Sequence, residues 1–242
     1  MEKNLDKNNL PKHVSVIMDG NGRWAKKQGA ARVFGHKNAI KAVRDTVEGC
    51  AELGISHLSL FAFSTENWGR PKKEVDALMQ LLVSTINSEM KTLMKNDVKL
   101  SSIGDIENLP GKCYNELKTA IEQTAQNKGL NLILALNYSG KWDIAQACKK
   151  ALTACKKGEL SDEELTDLKF ESYLSTAGIP DPELLIRTSG EYRISNFMLW
   201  QLAYTEIYIT EVLWPDFRKE HLINALRNYQ TRERRFGKVI SE

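Results

Sequence analysis

His13-Val14-Ser15-Val16-Ile17-Met18-Asp19-Gly20-Asn21-Gly22-Arg23-Trp24 sets a short apolar run directly before a polar segment broken by two glycines. An apolar run of strand length without polar alternation reads as a strand buried on both faces, as in a parallel sheet under helices. The polar segment then falls beyond the strand's carboxyl end, where open parallel α/β sheets bind their ligands. Two glycines let the backbone turn tightly and offer its N–H groups to an anion. Arg23 adds a planar cationic fork.

Outward from this stretch, strand and helix patterns alternate. Ile40, Val43, Val47, Cys50 and Leu53 recur at helical spacing, and Gly54 ends that helix. His57 to Phe63 reads as a strand, Val75 to Met94 as a long helix and Val98 to Ile103 as a strand. Leu117, Ile121 and Ala125 mark a helix stopped by Gly129, Leu130 to Leu136 is the most apolar strand, and Trp142 to Lys156 is helical again. Short strands at Glu183 to Ile186 and Glu206 to Thr210 precede a closing helix from about Arg218 to Arg235. No repeat or linker divides the chain. The expectation is a single α/β domain over residues 1–242, with a mostly parallel sheet of about six strands flanked by helices and a flexible segment at 1–12.

The helix from Val75 to Met94 carries apolar residues on more than one stripe, from Leu78, Met79, Leu81 and Leu82 to Ile86, Met90 and Leu93. A neighbouring element or a second copy could bury the extra face. Alternatively, it lines an apolar cavity, for which methionine-rich walls suit a long lipid chain.

Composition excludes several classes. The 242 residues hold 34 Lys+Arg against 31 Asp+Glu, a net charge of +3, and 42% are hydrophobic. That content supports a sizeable core, and near-neutrality argues against a nucleic-acid partner. Cys50, Cys113, Cys148 and Cys155 show no metal-ligand spacing and read as reduced thiols. The polar opening Met1-Glu2-Lys3-Asn4-Leu5-Asp6 predicts no secretory signal, and no apolar run approaches membrane-spanning length. A cytoplasmic location follows as the expectation. Arginine is distributed unevenly: none of the eleven lies among the 116 residues from Pro71 to Ile186.

Three more polar segments follow strands: Ser64-Thr65-Glu66-Asn67-Trp68-Gly69-Arg70-Pro71, Asn137-Tyr138-Ser139-Gly140, and Arg187 through Arg193-Ile194-Ser195 to Asn196. Arg23, Arg32, Arg70, Arg187 and Arg193 thus gather at one rim, a site for a multiply charged anion such as one or two diphosphates. Asp19 is the strand-end carboxylate placed to hold Mg²⁺ among phosphates. The glycine turn also fits G-x-G-x-x-A with Ala25, but a dinucleotide site expects small neutral residues where Arg23 and Trp24 stand. No Gly-Lys-Ser/Thr, G-x-S-x-G or H-E-x-x-H occurs. Among the histidines only His36 stands near a candidate loop.

These stretches together, with Gly35-His36 and Trp200-Gln201 through Glu206 to Trp214-Pro215-Asp216-Phe217, resemble the cis-prenyltransferase family from about His13 to Gly237. The resemblance implies a parallel-sheet fold with an apolar tunnel, a homodimer, Mg²⁺ dependence and repeated cis-condensation of isopentenyl diphosphate onto an allylic diphosphate, farnesyl diphosphate, to a product of the undecaprenyl class. Peripheral membrane contact would serve product release. Asp19 matches the metal-binding catalytic carboxylate. Gly20, Asn21, Gly22, Arg23, Arg32 and His36 match the allylic diphosphate site, and Trp24, Ser64, Thr65, Glu66, Trp68 and Arg70 match further allylic contacts. Asn67 matches the position assigned as proton acceptor, although a carboxamide is a very weak base. Arg187, Arg193, Ile194 and Ser195 match the isopentenyl diphosphate site. Glu206 resembles a second metal ligand from the paired subunit or a nearby strand. Ala62 and Leu132 could set chain length, and Arg235-Phe236-Gly237 resembles an element that reaches across the dimer. Ala39 stands where Gly is common, and Ser139 and Lys141 depart from the family's N-Y-G-G-R. Non-catalytic partner subunits of the same fold are the alternative; they lose the strand-end Asp and the glycine turn, both kept here.

Overall fold

The computed structural model describes residues 5–234. Strands β1 (His13–Ile17), β2 (His57–Ser64), β3 (Lys99–Ile103), β4 (Asn131–Tyr138), β5 (Leu184–Thr188) and β6 (Glu206–Thr210) form one sheet in the order β3-β4-β2-β1-β5-β6. Every neighbouring pair is parallel. Helices α1 (Asn21–Lys27), α2 (Arg32–Glu52), α3 (Lys72–Lys95), α4 (Gly111–Thr124), α5 (Gly140–Lys156), α6 (Asp167–Glu171) and α7 (Lys219–Gln230) make the crossovers and the covering layers.

The apolar strands dictate this arrangement. All five residues of β1 and of β5 are buried, as their unbroken hydrophobicity requires at the centre of a two-faced sheet. Alternate side chains go to opposite layers. Val14, Val16, Leu132 and Leu134 join residues of α2, α3, α4 and α7 in the larger core. Ile17, Ile133, Ala135 and Leu185 meet Phe197, Met198, Trp142 and Ile179 in the smaller one. Each fully buried Leu, Val or Ile contributes about 1.5–3 kcal/mol, so the two layers together dominate stability.

Three expectations are corrected. The segment from Asn21 to Lys27 is a helix, because Gly20 alone takes the left-handed conformation (φ 107°) and the chain is helical from the next residue. Part of the segment expected to be flexible is pinned: Gln230 donates to the Asp6 and Asn9 carbonyls at 2.6 and 2.9 Å, and Leu5 and Leu10 pack on the larger core. The last helix ends at Gln230, where the Thr231 and Arg232 N–H groups close onto Asn228 and Tyr229. Arg235-Phe236-Gly237 lies outside the described residues.

His13 ties β1 to β2 and to the loop before β5 at the amino end of the sheet. Its Nδ1 donates to the Pro180 carbonyl at 2.6 Å, so its Nε2, 2.7 Å from Ser59 Oγ, is the acceptor of the neutral tautomer. Burial, partly opposed by the Pro180 hydrogen bond, lowers its pKa to about 4 from 6.5. The unfolded chain therefore binds a proton between pH 6.5 and 4 that the folded chain refuses, and stability present above this window is lost on acidification through it. On the order of 3 kcal/mol is at stake for this group. The melting temperature should fall steeply between pH 6.5 and 4.5, and His13→Gln should flatten that slope in calorimetric scans; an unchanged slope would assign the acid sensitivity elsewhere.

Candidate active site

The carboxyl ends of β1, β2 and β5 converge on one rim. Arg187, the penultimate residue of β5, pairs in register with Ile17 of β1, which brings its side chain to Asp19. Its guanidinium is 4% exposed and donates to Asp19 Oδ2 at 2.9 Å and to Ser195 Oγ at 2.7 Å. A third donation reaches the Arg193 carbonyl. Thr188 locks the same junction, accepting the Asp19 N–H at 2.9 Å and donating to the Asp19 carbonyl at 2.7 Å. Asp19 Oδ1 accepts the Gly20 N–H at 2.7 Å. Burial would raise the Asp19 carboxyl, but these donors and the charges of Arg187 and Arg23 outweigh it and hold the pKa below the ordinary value. Asp19 is therefore a carboxylate at neutral pH.

Helix α1 starts beside this carboxylate with no side-chain cap, and its first internal bond runs from Trp24 N–H to Gly20 O at 2.9 Å. The N–H groups of Asn21, Gly22 and Arg23 therefore have no acceptor within the helix and can serve an anion. Gly22 is needed for space and not for a turn: a Cβ there would lie 3.0 Å from Arg32 Nε. Arg23 donates to the Ser189 carbonyl at 2.9 Å and pairs with Glu191 at 3.0 Å. Arg32 and Arg70 share the Glu74 carboxylate at 3.7 and 3.1 Å, so the pair keeps one net positive charge toward the rim. Burial and the charges of Arg70 and Arg32, against Glu74, lower the His36 pKa to about 4, which makes it a neutral hydrogen-bonding group.

Ser64 to Arg70 forms the third side. The Asn67 carboxamide oxygen accepts the Ser64 N–H at 3.1 Å, so its acceptor is committed to loop shape. Asn196 fastens this loop to the others: its Nδ2 donates to Glu66 at 2.7 Å, while its Oδ1 accepts the Lys141 N–H at 2.9 Å. Burial would raise the Glu66 carboxyl, but donation from Asn196 outweighs it and its pKa is lowered. Ser189, Ser195 and Asn196 all hold positive φ, a strained conformation for non-glycine residues concentrated here.

A cavity of about 780 Å³ opens from this rim and runs between the sheet and helices α2 and α3. Asp19, Gly20, Asn21, Gly22, Arg23, Arg32, His36, Ser64, Glu66, Asn67, Arg70, Arg187 and Ser195 line its polar end. Its interior is apolar, with Ile40 and Val43 from α2, Leu78, Met79, Leu82 and Ile86 from α3, and Ala62, Leu132 and Leu134 from the sheet. The excess apolar face of α3 is thus a cavity wall.

The donor set at Asp19 suits Mg²⁺. Among the described residues no three or more His, Cys, Asp or Glu form a metal-holding group. One hard carboxylate beside phosphate-binding cations is nevertheless what that ion takes, since it keeps waters and completes its shell with substrate phosphates. Arg187 Nε, buried and without an acceptor among the described residues, marks unmet demand for an anion at the same place.

Residues 17–237 match the prenyltransferase family described as undecaprenyl diphosphate synthase. The chain belongs to that family. It is 54% identical over 233 residues to an isoprenyl transferase of Chlorobaculum tepidum, covering 96% of this chain and 88% of that protein. It is 49% identical to the farnesyl-diphosphate-specific ditrans,polycis-undecaprenyl-diphosphate synthase of Pasteurella multocida, covering 96% and 97%. Its fold is similar to lavandulyl diphosphate synthase of Lavandula x intermedia in complex with dimethylallyl diphosphate. There the TM-score is 0.93 and the identity 37%, covering 96% of this chain and 100% of that one.

Not every expected residue of this family member reaches the cavity lining. Trp24 stacks on Phe34 and donates to Asp216 at 2.8 Å; Trp68 donates to Asn137 at 2.8 Å and packs edge-on to Phe63. Thr65 donates to Glu66 at 3.2 Å, Arg193 pairs with Glu191, and Ile194 packs on the smaller core. Glu206 lies at the other end of the sheet, level with Leu184 and Val14, about 16 Å of strand from Asp19. It pairs with Arg232 at 2.7 Å, so it does not join Asp19 within one chain. Glu74, Glu191 and Asn196 were missed as site residues, and a search for carboxylates beside clustered arginines would have raised the first two.

Gly35 lets α2 cross α1, since a Cβ there would sit 2.0 Å from the Asn21 carbonyl oxygen. Gly35→Ala must displace the start of α1, costing about 1–3 kcal/mol. It should lower the melting temperature and weaken inorganic diphosphate binding by calorimetry. Wild-type affinity in this variant would show that α1 does not shape the anion site.

Proposed function

We propose that the chain is an isoprenyl transferase. It condenses isopentenyl diphosphate repeatedly, with cis geometry, onto an allylic diphosphate, farnesyl diphosphate, to give a long-chain product of the undecaprenyl class for the cell-wall lipid carrier. The observation that carries this reading is one continuous cavity joining an arginine rim around Asp19 to an apolar interior. The names of the relatives support it. A non-catalytic partner subunit of the same fold is disfavoured by the intact Asp19 carboxylate and glycine turn.

In each condensation the allylic C–O bond breaks, the allylic carbon bonds to the terminal methylene of isopentenyl diphosphate, a neighbouring C–H proton is lost and diphosphate leaves. Stabilising the departing anion is the main catalytic demand. The free N–H groups of α1 with Arg23 and Arg32 would bind the allylic diphosphate, and Arg187 with Ser195 the isopentenyl diphosphate. Mg²⁺, held by Asp19, would add positive charge against the leaving diphosphate. Asn67 orients substrate, and an oxygen of the leaving diphosphate or water takes the proton, because the carboxamide oxygen already accepts from Ser64. The apolar walls hold the prenyl chain and keep water from the allylic cation.

The edge strand β6, with Ile207 44% exposed, supports a homodimer built on that side, and Glu206 would ligate metal only from a partner. No described helix is long and apolar enough to cross a membrane. A cytoplasmic protein with peripheral membrane contact at product release completes the reading.

Incubation with labelled isopentenyl diphosphate, farnesyl diphosphate and Mg²⁺ should yield extractable long-chain prenyl diphosphates. Folded protein that makes none would overturn the proposal. Asp19→Asn, which keeps an acceptor for Arg187, should cut turnover at least about a hundred-fold with a folded protein. Turnover near wild type would remove Asp19 from the chemistry.

A further inference from the structure

Asn196 joins three parts of the rim that lie far apart in the sequence. Toward helix α5 it supplies two acceptors: its carbonyl takes the Gly140 N–H at 2.6 Å, and its Oδ1 takes the Lys141 N–H at 2.9 Å. These are the first two N–H groups of α5, which Ser139 leaves without a side-chain cap. The 17-residue helix therefore points its positive end at the Asn196 carboxamide. An amide whose oxygen accepts from a helix terminus is polarised into a better donor at its nitrogen. That nitrogen donates to Glu66 Oε1 at 2.7 Å, on the loop that also carries Asn67 and Arg70.

The neighbours of Asn196 give this bridge its purpose. Phe197 is fully buried and stacks on Phe61 with ring centres 4.4 Å apart, which anchors the segment in the smaller core. Ser195, on the other side, presents its Oγ to Arg187 at 2.7 Å. Ser195 and Asn196 both hold positive φ, 49° and 62°, strained geometry that persists only where the surroundings impose it. Phe197 and the hydrogen bonds of Asn196 supply that constraint. The Ser64–Arg70 loop is in turn held from the β4–α5 side at two points, Glu66 by Asn196 and Trp68 by Asn137 at 2.8 Å. Glu66 is an anion on a rim built for anions, so the place of its carboxylate matters to any diphosphate bound beside it.

We propose that Asn196 is a positioning residue for the isopentenyl diphosphate subsite. Through its bonds to the α5 terminus and to Glu66 it fixes Ser195 against Arg187, and so holds that subsite in register with the loop that carries the allylic contacts. This rests on the prenyl-transfer reading above. Asn196 acts through its neighbours and takes no part in the bond-making step.

Asn196→Asp keeps the acceptor for Lys141 but sets a second carboxylate against Glu66. Titration calorimetry with isopentenyl diphosphate should show affinity weakened about ten-fold. The KM for isopentenyl diphosphate should rise by a similar factor, with kcat changed by less than about two-fold. Adding Glu66→Gln lets the glutamine amide donate to the new carboxylate, so the double variant should recover most of the lost affinity. Asn196→Ala removes the bridge without repulsion; it should weaken binding several-fold, gain nothing from Glu66→Gln, and serves if Asn196→Asp fails to fold. Affinity near wild type in the single variants, a double variant no better than Asn196→Asp, or a loss confined to kcat would overturn the assignment. Because binding is read without turnover, a wild-type chain that binds isopentenyl diphosphate but condenses none would overturn the functional reading instead, a distinct outcome.

Discussion

A buried guanidinium facing one carboxylate across the ends of two neighbouring strands is the constraint on which the site depends. Arg187 is almost wholly inside the protein, and Asp19 is the carboxylate that neutralises it. An uncompensated charge in that position would cost about 3–5 kcal/mol, so β1 and β5 must pair in the register that lets the two meet. Thr188, with hydrogen bonds to both the N–H and carbonyl of Asp19, removes the remaining freedom. The pair also polarises the rim: Asp19 stays ionised, and one nitrogen of Arg187 has no acceptor among the described residues.

The same elements supply stability and cavity. Helix α3 buries Val75 and Val83 in the core and turns Leu78 and Leu82 toward the cavity, so one helix works on two apolar faces. Helix α2 carries Arg32 and His36 at the rim, apolar Ile40 and Val43 in the middle, and Arg44 at the far end. Polarity thus grades along the cavity as the substrate's own polarity grades from diphosphate to hydrocarbon.

Much of the fold was legible because buried parallel strands leave unbroken apolar runs. The strand at Glu206–Thr210 agrees with its expected bounds, and the others agree to within one or two residues. Helix α2 was harder. Its first eight residues, from Arg32, carry no apolar stripe, because they face the anion rim and pack through Gly35 and Ala39. The helix at Asn21–Lys27 was hidden by its glycines, which read as a turn although only Gly20 is one. Trp24 and Trp68 lie in site-bearing loops but pack sideways, since large rings are held by whatever neighbour offers a partner for the indole N–H.

Sequence alone determined which residues lie at strand ends, and hence that Asp19, Arg23, Arg70 and Arg187 would meet, because periodicity records local burial and chain direction. It could not determine partners that depend on strand order and helix crossing. Only the tertiary structure decided that Arg32 and Arg70 share Glu74, that Glu206 sits at the opposite end of the sheet from Asp19, and that Arg44 pairs with Glu89. Each of these pairings except the Arg70–Glu74 turn joins residues far apart in the chain. Their meeting is set by the register and packing of whole elements, which no local pattern encodes.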